Sequence, residues 1–312
     1  MLYAACALLL ILLLVLSLSY YCFFAVFRAY RREKAKKDGY NLPPGEAFRP
    51  FHPQLIAWID AMRALPYRPC ETRARDGLTL RGRYYETDPA APIEILFHGY
   101  RGDPERDMSG AIERAFAVGH NALVVSQRGA GESEGRVITF GVLERWDCHA
   151  WVDYVIKTFG DGVRIMLSGV SMGAATVLMA AGEPLPKNVY AILSDCPYTS
   201  ARDIIMSVMR ARRLPARLLY PFVRLGARLF GHFDPDEASP LSAIARASLP
   251  VILYHGEADG FVPCEMSRRL LAAAASPCRL VTVPGADHAL AYPKDPEAYL
   301  AALREFEASL RL

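Results

Sequence analysis

Ser171 stands between two glycines in the run Gly169-Val170-Ser171-Met172-Gly173. A serine hydroxyl is a weak nucleophile until a base takes its proton, and a third group must hold that base in one tautomer. Downstream, His288 offers the base and Asp259 the orienting acid, in the chain order serine, acid, histidine. Acyl transfer also creates an oxyanion that needs preorganised N–H donors, each worth about 2.7–4 kcal/mol of barrier. Met172, directly after the serine, and Tyr100, in His98-Gly99-Tyr100, are placed to supply them. Other residues compete for these roles. His120, His149 and His232 lack a strand-end position, while His98 and His255 each precede a glycine, where a histidine more often bonds within its own turn. Asp195, Glu257 and Asp287 are rival acids, with Asp195 the alternative whose strand end lies within reach of a triad. Arg128 among its glycines reads as a structural loop, because no helix headed by Lys-Ser/Thr follows to make a phosphate cradle.

Elements that position these residues are legible from hydrophobic pattern. An opening hairpin is expected from Glu71 to Arg75 and Leu78 to Glu86, turning at Asp76-Gly77. Short apolar strands follow at Ile93 to Phe97, Ala122 to Ser126, Val163 to Leu167, Val189 to Leu193, Val251 to Tyr254 and Arg279 to Val283. Helical spacing alternates with them over Asp107 to Val118, Leu143 to Phe159, Ala174 to Ala181, Cys264 to Ala275 and Pro296 to Leu310. This alternation gives an α/β fold, a mostly parallel sheet covered by helices on both faces. In such a sheet chemistry collects at the carboxyl ends of strands, where His98, Arg128, Ser171, Asp259 and His288 all fall. The strand before Ser171 and the helix after it turn a common five-residue pattern into a nucleophile elbow.

From about Glu71 to the C-terminus the chain resembles the α/β-hydrolase-fold serine hydrolases. It is most similar to the serine aminopeptidase-like and monoacylglycerol lipase-like branch, including membrane-anchored bacterial members. The resemblance rests on His98-Gly99-Tyr100, Gln127-Arg128-Gly129-Ala130-Gly131-Glu132-Ser133, Gly169 to Gly173, His255-Gly256-Glu257-Ala258-Asp259 and His288. It departs at Ser126, where the family often has aspartate, a change that leaves the triad untouched. The resemblance implies a catalytic domain over residues 71–312, with a helical cap inserted at about 197–248 that shapes the acyl pocket. That insertion carries Arg202, Arg210, Arg212, Arg213, Arg217, Arg224 and Arg228 among apolar runs, and one expectation is that it faces the membrane or an anionic acyl substrate.

Before the domain, Leu2 to Phe27 is almost unbroken apolar sequence, long enough to cross a bilayer core of about 30 Å. No Lys or Arg precedes it and no small-residue cleavage site ends it, so residues 1–27 read as a retained anchor rather than a signal peptide. Arg28, Arg31, Arg32, Lys34, Lys36 and Lys37 follow, which places residues 28–70, a basic and connecting segment, and the rest of the chain on the cytoplasmic side. Seven scattered cysteines without CxxC pairing agree with a reducing compartment. A net charge of +3 gives no ground for nucleic acid, and no metal-binding spacing or cofactor motif is present in the sequence. The expected chemistry is therefore cofactor-free and metal-free cleavage of a small-molecule carboxylic ester, lipid-like or short in its acyl part, through an acyl-enzyme on Ser171. Amidase, aminopeptidase and thioesterase reactions use the same machinery. A membrane scaffold would need no intact triad. Serine at position 171 argues against chemistry that needs a carboxylate nucleophile, and one spanning segment cannot form a transport pathway.

Overall fold

The computed structural model describes residues 1–29 and 39–310. Arg31, Arg32, Lys34, Lys36 and Lys37, on which the expected orientation rests, lie outside the described residues. Helix α1 (Leu2–Phe27) is followed by a short helical turn (Arg49–Phe51) and α2 (His52–Ala64). The hairpin β1 (Arg68–Arg73) and β2 (Thr79–Tyr85) turns through Gly77 at φ +85°. Then come β3 (Ile93–Phe97), α3 (Pro104–Ala117), β4 (Asn121–Val125), α4 (Glu144–Phe159), β5 (Ile165–Val170), α5 (Met172–Ala181) and β6 (Val189–Asp195). The insertion folds as α6 (Ala201–Ala211), α7 (Ala216–Phe230) and α8 (Pro240–Ile244). The chain closes with β7 (Val251–Gly256), α9 (Glu265–Ala273), β8 (Cys278–Val283), α10 (Ala291–Lys294) and α11 (Pro296–Ser309).

Boundaries shift from the expected ones for local reasons. Helix α3 begins earlier because the Asp103 side chain caps it, accepting from the N–H groups of Glu105 and Arg106. Strands β5 and β6 run past Leu167 and Leu193 because their serines find partners inside: Ser168 Oγ accepts from Arg114 Nη2 at 3.1 Å, and Ser194 Oγ donates to the Ala174 carbonyl at 3.2 Å.

The eight strands form one sheet in the order β1-β2-β4-β3-β5-β6-β7-β8, antiparallel through β1, β2 and β4 and parallel from β4 onward. Strands β3, β4, β6 and β7 are buried along their whole length, which is why they read as continuous apolar runs. One face packs Ile95, Leu167 and Leu253 against α4, α5 and α9; the other packs Met166, Leu193 and Tyr254 against α11. Strand order reverses at β3, so the loops after β3 and β5 part and leave a crevice.

Helix α1 divides along its length. Leu8 to Leu14 stay 52–68% exposed, whereas Ser19, Cys22, Phe23 and Phe27 are buried in the domain. Its last turns lie against α7, where a Cβ on Gly226 would stand 2.2 Å from the Ser19 carbonyl oxygen. The chain leaving α1 is pinned by an antiparallel bridge between Arg28 and Val137, with Ile138 N–H donating to the Phe27 carbonyl at 2.7 Å. Leu2–Phe27 is the one helix among the described residues long and apolar enough to cross a membrane.

Candidate active site

Ser171 occupies the turn between β5 and α5 with φ 55° and ψ −112°, a left-handed conformation that costs a non-glycine residue on the order of 1–3 kcal/mol. Its glycine neighbours are steric necessities. A Cβ on Gly173 would fall 1.9 Å from the Phe97 carbonyl oxygen, and one on Gly169 would fall 2.2 Å from the Gly173 carbonyl carbon. Ser171 N–H donates to the Asp195 carbonyl at 2.8 Å, fixing the turn to β6.

Two loops bring the other groups to the serine. His288, in the loop after β8, places Nε2 3.0 Å from Ser171 Oγ and Nδ1 2.7 Å from Asp259 Oδ2. Asp259, in the loop after β7, accepts on Oδ1 from the N–H groups of Phe261 at 2.9 Å and Val262 at 2.7 Å. Burial opposes its charge, but hydrogen bonds from His255 and His288 hold its carboxyl well below the usual range, so it is ionised. Asp287 Oδ1 ties the loops together by accepting from Gly260 N–H at 3.0 Å and His288 N–H at 2.7 Å. It does not touch the imidazole ring in the way Asp259 does.

The rival residues are engaged elsewhere. Asp195 is buried against Tyr299, whose hydroxyl donates to Oδ2 at 3.1 Å, and burial pushes its pKa up. His255 bonds the Val262 carbonyl at 2.8 Å and Ser267 Oγ at 2.6 Å, with Nε2 3.3 Å from Asp259. His98 bonds the Gly99 carbonyl at 2.8 Å and receives the Gln127 N–H at 3.1 Å. Arg128 makes paired bonds of 2.7 and 2.6 Å to Asp147 and one of 2.8 Å to Asp76, a structural pin for its glycine loop. Cys196, Asp259 and His288 are close enough to share a metal ion. Both ring nitrogens of His288 are already engaged, and burial raises the Cys196 thiol far from the thiolate a metal needs.

Met172 opens α5, so its N–H belongs to the first turn, which has no intrahelical acceptor. The turn after β3 lies against the nucleophile: a Cβ on Gly99 would be 3.7 Å from Ser171 Cβ. Tyr100 follows that glycine. The two residues expected to supply N–H donors thus both lie beside Ser171, Met172 next to it in the chain and Tyr100 one residue past the glycine that packs on it.

A cavity of about 280 Å³ opens on Ser171 and His288. Its walls come from Leu55 and Trp58 of α2, Met108 of α3, Leu193 of β6, and Leu290 and Tyr292 near α10. No residue of 197–248 lines it, so the expectation that the cap shapes this pocket is corrected. The insertion packs on α1 and on Ile138 to Val142 instead, and several of its arginines pair internally. Arg202 bonds Asp236, while Arg224 and Arg228 bond Asp234. The wall missed from sequence is α2, where Leu55, Ile59 and Met62 are buried at helical spacing and Trp58 stacks on Tyr292 at 5.4 Å. That spacing signals a buried face without saying what it faces.

Fold, elbow and ordered loops are those of the alpha/beta hydrolase family, whose model matches residues 95–302, and the chain belongs to that family. Among relatives, it is 28% identical over 190 residues to the Bacillus subtilis protein YqkD, a match covering 61% of this chain and 62% of that one. To Rv2307c of Mycobacterium tuberculosis it is 29% identical over 243 residues, covering 77% and 78% of the two chains. It shares its fold with an esterase of Pyrococcus furiosus, with a TM-score of 0.66 and 24% identity over 80% of this chain and 93% of that one.

Proposed function

We propose that the protein is a serine hydrolase that cleaves a carboxylic ester of modest acyl length while anchored to a membrane by α1. The single observation that carries the reading is the relay from Ser171 through His288 to Asp259, with links of 3.0 and 2.7 Å, at the mouth of an apolar cavity. Ser171 Oγ attacks the ester carbonyl carbon as His288 Nε2 takes its proton. The carbonyl oxygen becomes an oxyanion held by the N–H groups of Tyr100 and Met172. Collapse of this intermediate breaks the bond to the alcohol, which leaves with the proton returned by His288, and the acyl group stays on Ser171. Water then attacks the acyl-enzyme by the same route and releases the acid. Asp259 stays ionised throughout and stabilises the imidazolium. At about 280 Å³ the cavity stands just below the usual range for ligand pockets, which favours a short or medium acyl group over a long chain. The esterase named among the structural relatives is in keeping with this chemistry. The basic flank after α1 supports a cytoplasmic side for the domain.

The test is labelling of the full-length protein with a fluorophosphonate, followed by an acyl-length series of p-nitrophenyl esters. Ser171→Ala and His288→Ala should both abolish labelling and turnover. Equal labelling of wild type and Ser171→Ala refutes the nucleophile, and preference for aminoacyl amides over every ester refutes the ester reading.

A further inference from the structure

The carbonyl end of α1 reaches the active site. Tyr100 Oη donates to the Val26 carbonyl at 2.5 Å, and Arg101 Nη2 donates to the Ala25 carbonyl at 2.9 Å and the Arg28 carbonyl at 3.1 Å. Ala25 and Val26 belong to the last turn of α1, whose carbonyls have no intrahelical donor and carry the negative end of the helix dipole. A phenol and a guanidinium meet that need. Both belong to the turn that follows β3, closed by Gly102 N–H donating to the Gly99 carbonyl at 3.0 Å. Arg101 stands there at φ 49°, a left-handed conformation that its surroundings must hold in place.

We infer that the end of α1 is a positioning element for catalysis, with Tyr100 and Arg101 as the positioning residues that fix the oxyanion turn. The inference rests on the proposed hydrolase reading and adds a route of control to it. Phe27 completes the linkage, packing edge-on to Phe140 at 5.8 Å, which in turn lies 4.8 Å from the Tyr100 ring. The exposed apolar part of α1 and its buried end form one continuous helix, so a change in how the bilayer seats the first moves the second. Such a movement alters the direction of the Tyr100 N–H, while the walls given by Leu55, Trp58, Met108, Leu193 and Tyr292 come from elements other than α1 and the turn after β3. The predicted signature is a loss of kcat without a change in KM, as for an interaction made only in the transition state.

The experiment uses the full chain in lipid nanodiscs, with Tyr100→Phe, Arg101→Met and the double variant. Phenylalanine keeps the backbone N–H and the aromatic packing while removing the hydroxyl. Turnover of a p-nitrophenyl ester is normalised to sites titrated by a fluorophosphonate, so misfolded protein does not count, and Tm is recorded beside it. Each single variant should lose about 10-fold in kcat at a KM within about 2-fold of wild type, short of the ~10²–10³ that follows outright loss of an oxyanion donor. Arg101→Lys should recover part of the loss. Wild-type kcat per titrated site in the double variant, with or without a fall in Tm, overturns the inference and leaves the hydrolase reading standing. A rise in KM as large as the fall in kcat also overturns it. Absence of Ser171 labelling in the wild type removes the hydrolase reading itself.

Discussion

Two buried acids stand near the serine, and replacing each by asparagine separates their roles. Asp259 accepts four contacts: His288 Nδ1 at 2.7 Å, the N–H groups of Phe261 and Val262, and His255 at 3.3 Å. Its depressed pKa means that Asp259→Asn removes a real negative charge from beside the imidazole. Asparagine also presents a carboxamide that can hold His288 in the wrong tautomer. In a serine triad this replacement costs about 10⁴ in kcat, or about 5.4 kcal/mol at 1.36 kcal/mol per decade. Asp195 differs. Burial raises its pKa, and the acceptor that Tyr299 needs is equally offered by an asparagine carbonyl. Asp195→Asn should therefore stay within about 3-fold of wild type, because the amide keeps the acceptor for Tyr299 and the partner of His288 Nδ1 is Asp259. The assay is kcat on a p-nitrophenyl ester, with folded concentration fixed by circular dichroism. A loss above about 100-fold in Asp195→Asn, with Asp259→Asn retaining a tenth or more of wild-type activity, would refute the assignment of the acid.

Gly173→Ala forces a Cβ to 1.9 Å from a backbone oxygen; it should cost more than about 4 kcal/mol or prevent folding. Gly162→Ala, with open space around it, should leave Tm unchanged, and similar Tm values for the two variants would contradict the steric argument. Trp58→Ala removes the ring that stacks on Tyr292 and walls the cavity, so the preferred acyl length should rise by about two methylenes or more. Leu218→Ala, on the exposed side of the insertion, should leave that preference alone; the reverse pattern would return the pocket to the cap. His120 sits between Glu94 and Glu307, at 3.5 and 3.0 Å. Burial opposes its charge, but hydrogen bonds to Glu307 and Glu94 raise its pKa to about 9. Its folded value exceeds the unfolded one of about 6.5, so its stabilisation is full below that pH and is lost as pH rises through the folded value. Thermal melts across the alkaline range should show a fall in Tm that His120→Gln abolishes, and a flat wild-type profile would count against the cluster.

The parts of the molecule legible in sequence are those whose local requirements are severe. Gly169 and Gly173 are required by backbone contacts, and the strands around them are apolar because both faces of the sheet are covered. Asp259 and His288 fall at strand ends, so topology alone brings them to Ser171. The pocket wall was not legible, for a physical reason. A buried helical face such as Leu55, Ile59 and Met62 is selected for leaving water, and that pressure is the same against a sheet, another helix or a substrate cavity. Helix α1 presents the same ambiguity more sharply. Leu8 to Leu14 are apolar and exposed, while Cys22, Phe23 and Phe27 are apolar because they fill the domain. Hydropathy cannot mark the boundary between them, since lipid and protein interior favour the same side chains. What marks it is polar and steric detail. Gly226 makes room for Ser19, and the carbonyls of Ala25 and Val26 call for the donors that Arg101 and Tyr100 supply. An apolar run that reads as an anchor along its whole length thus ends as an internal part of the domain, its Val26 carbonyl bonded to the Tyr100 hydroxyl beside the cavity on Ser171.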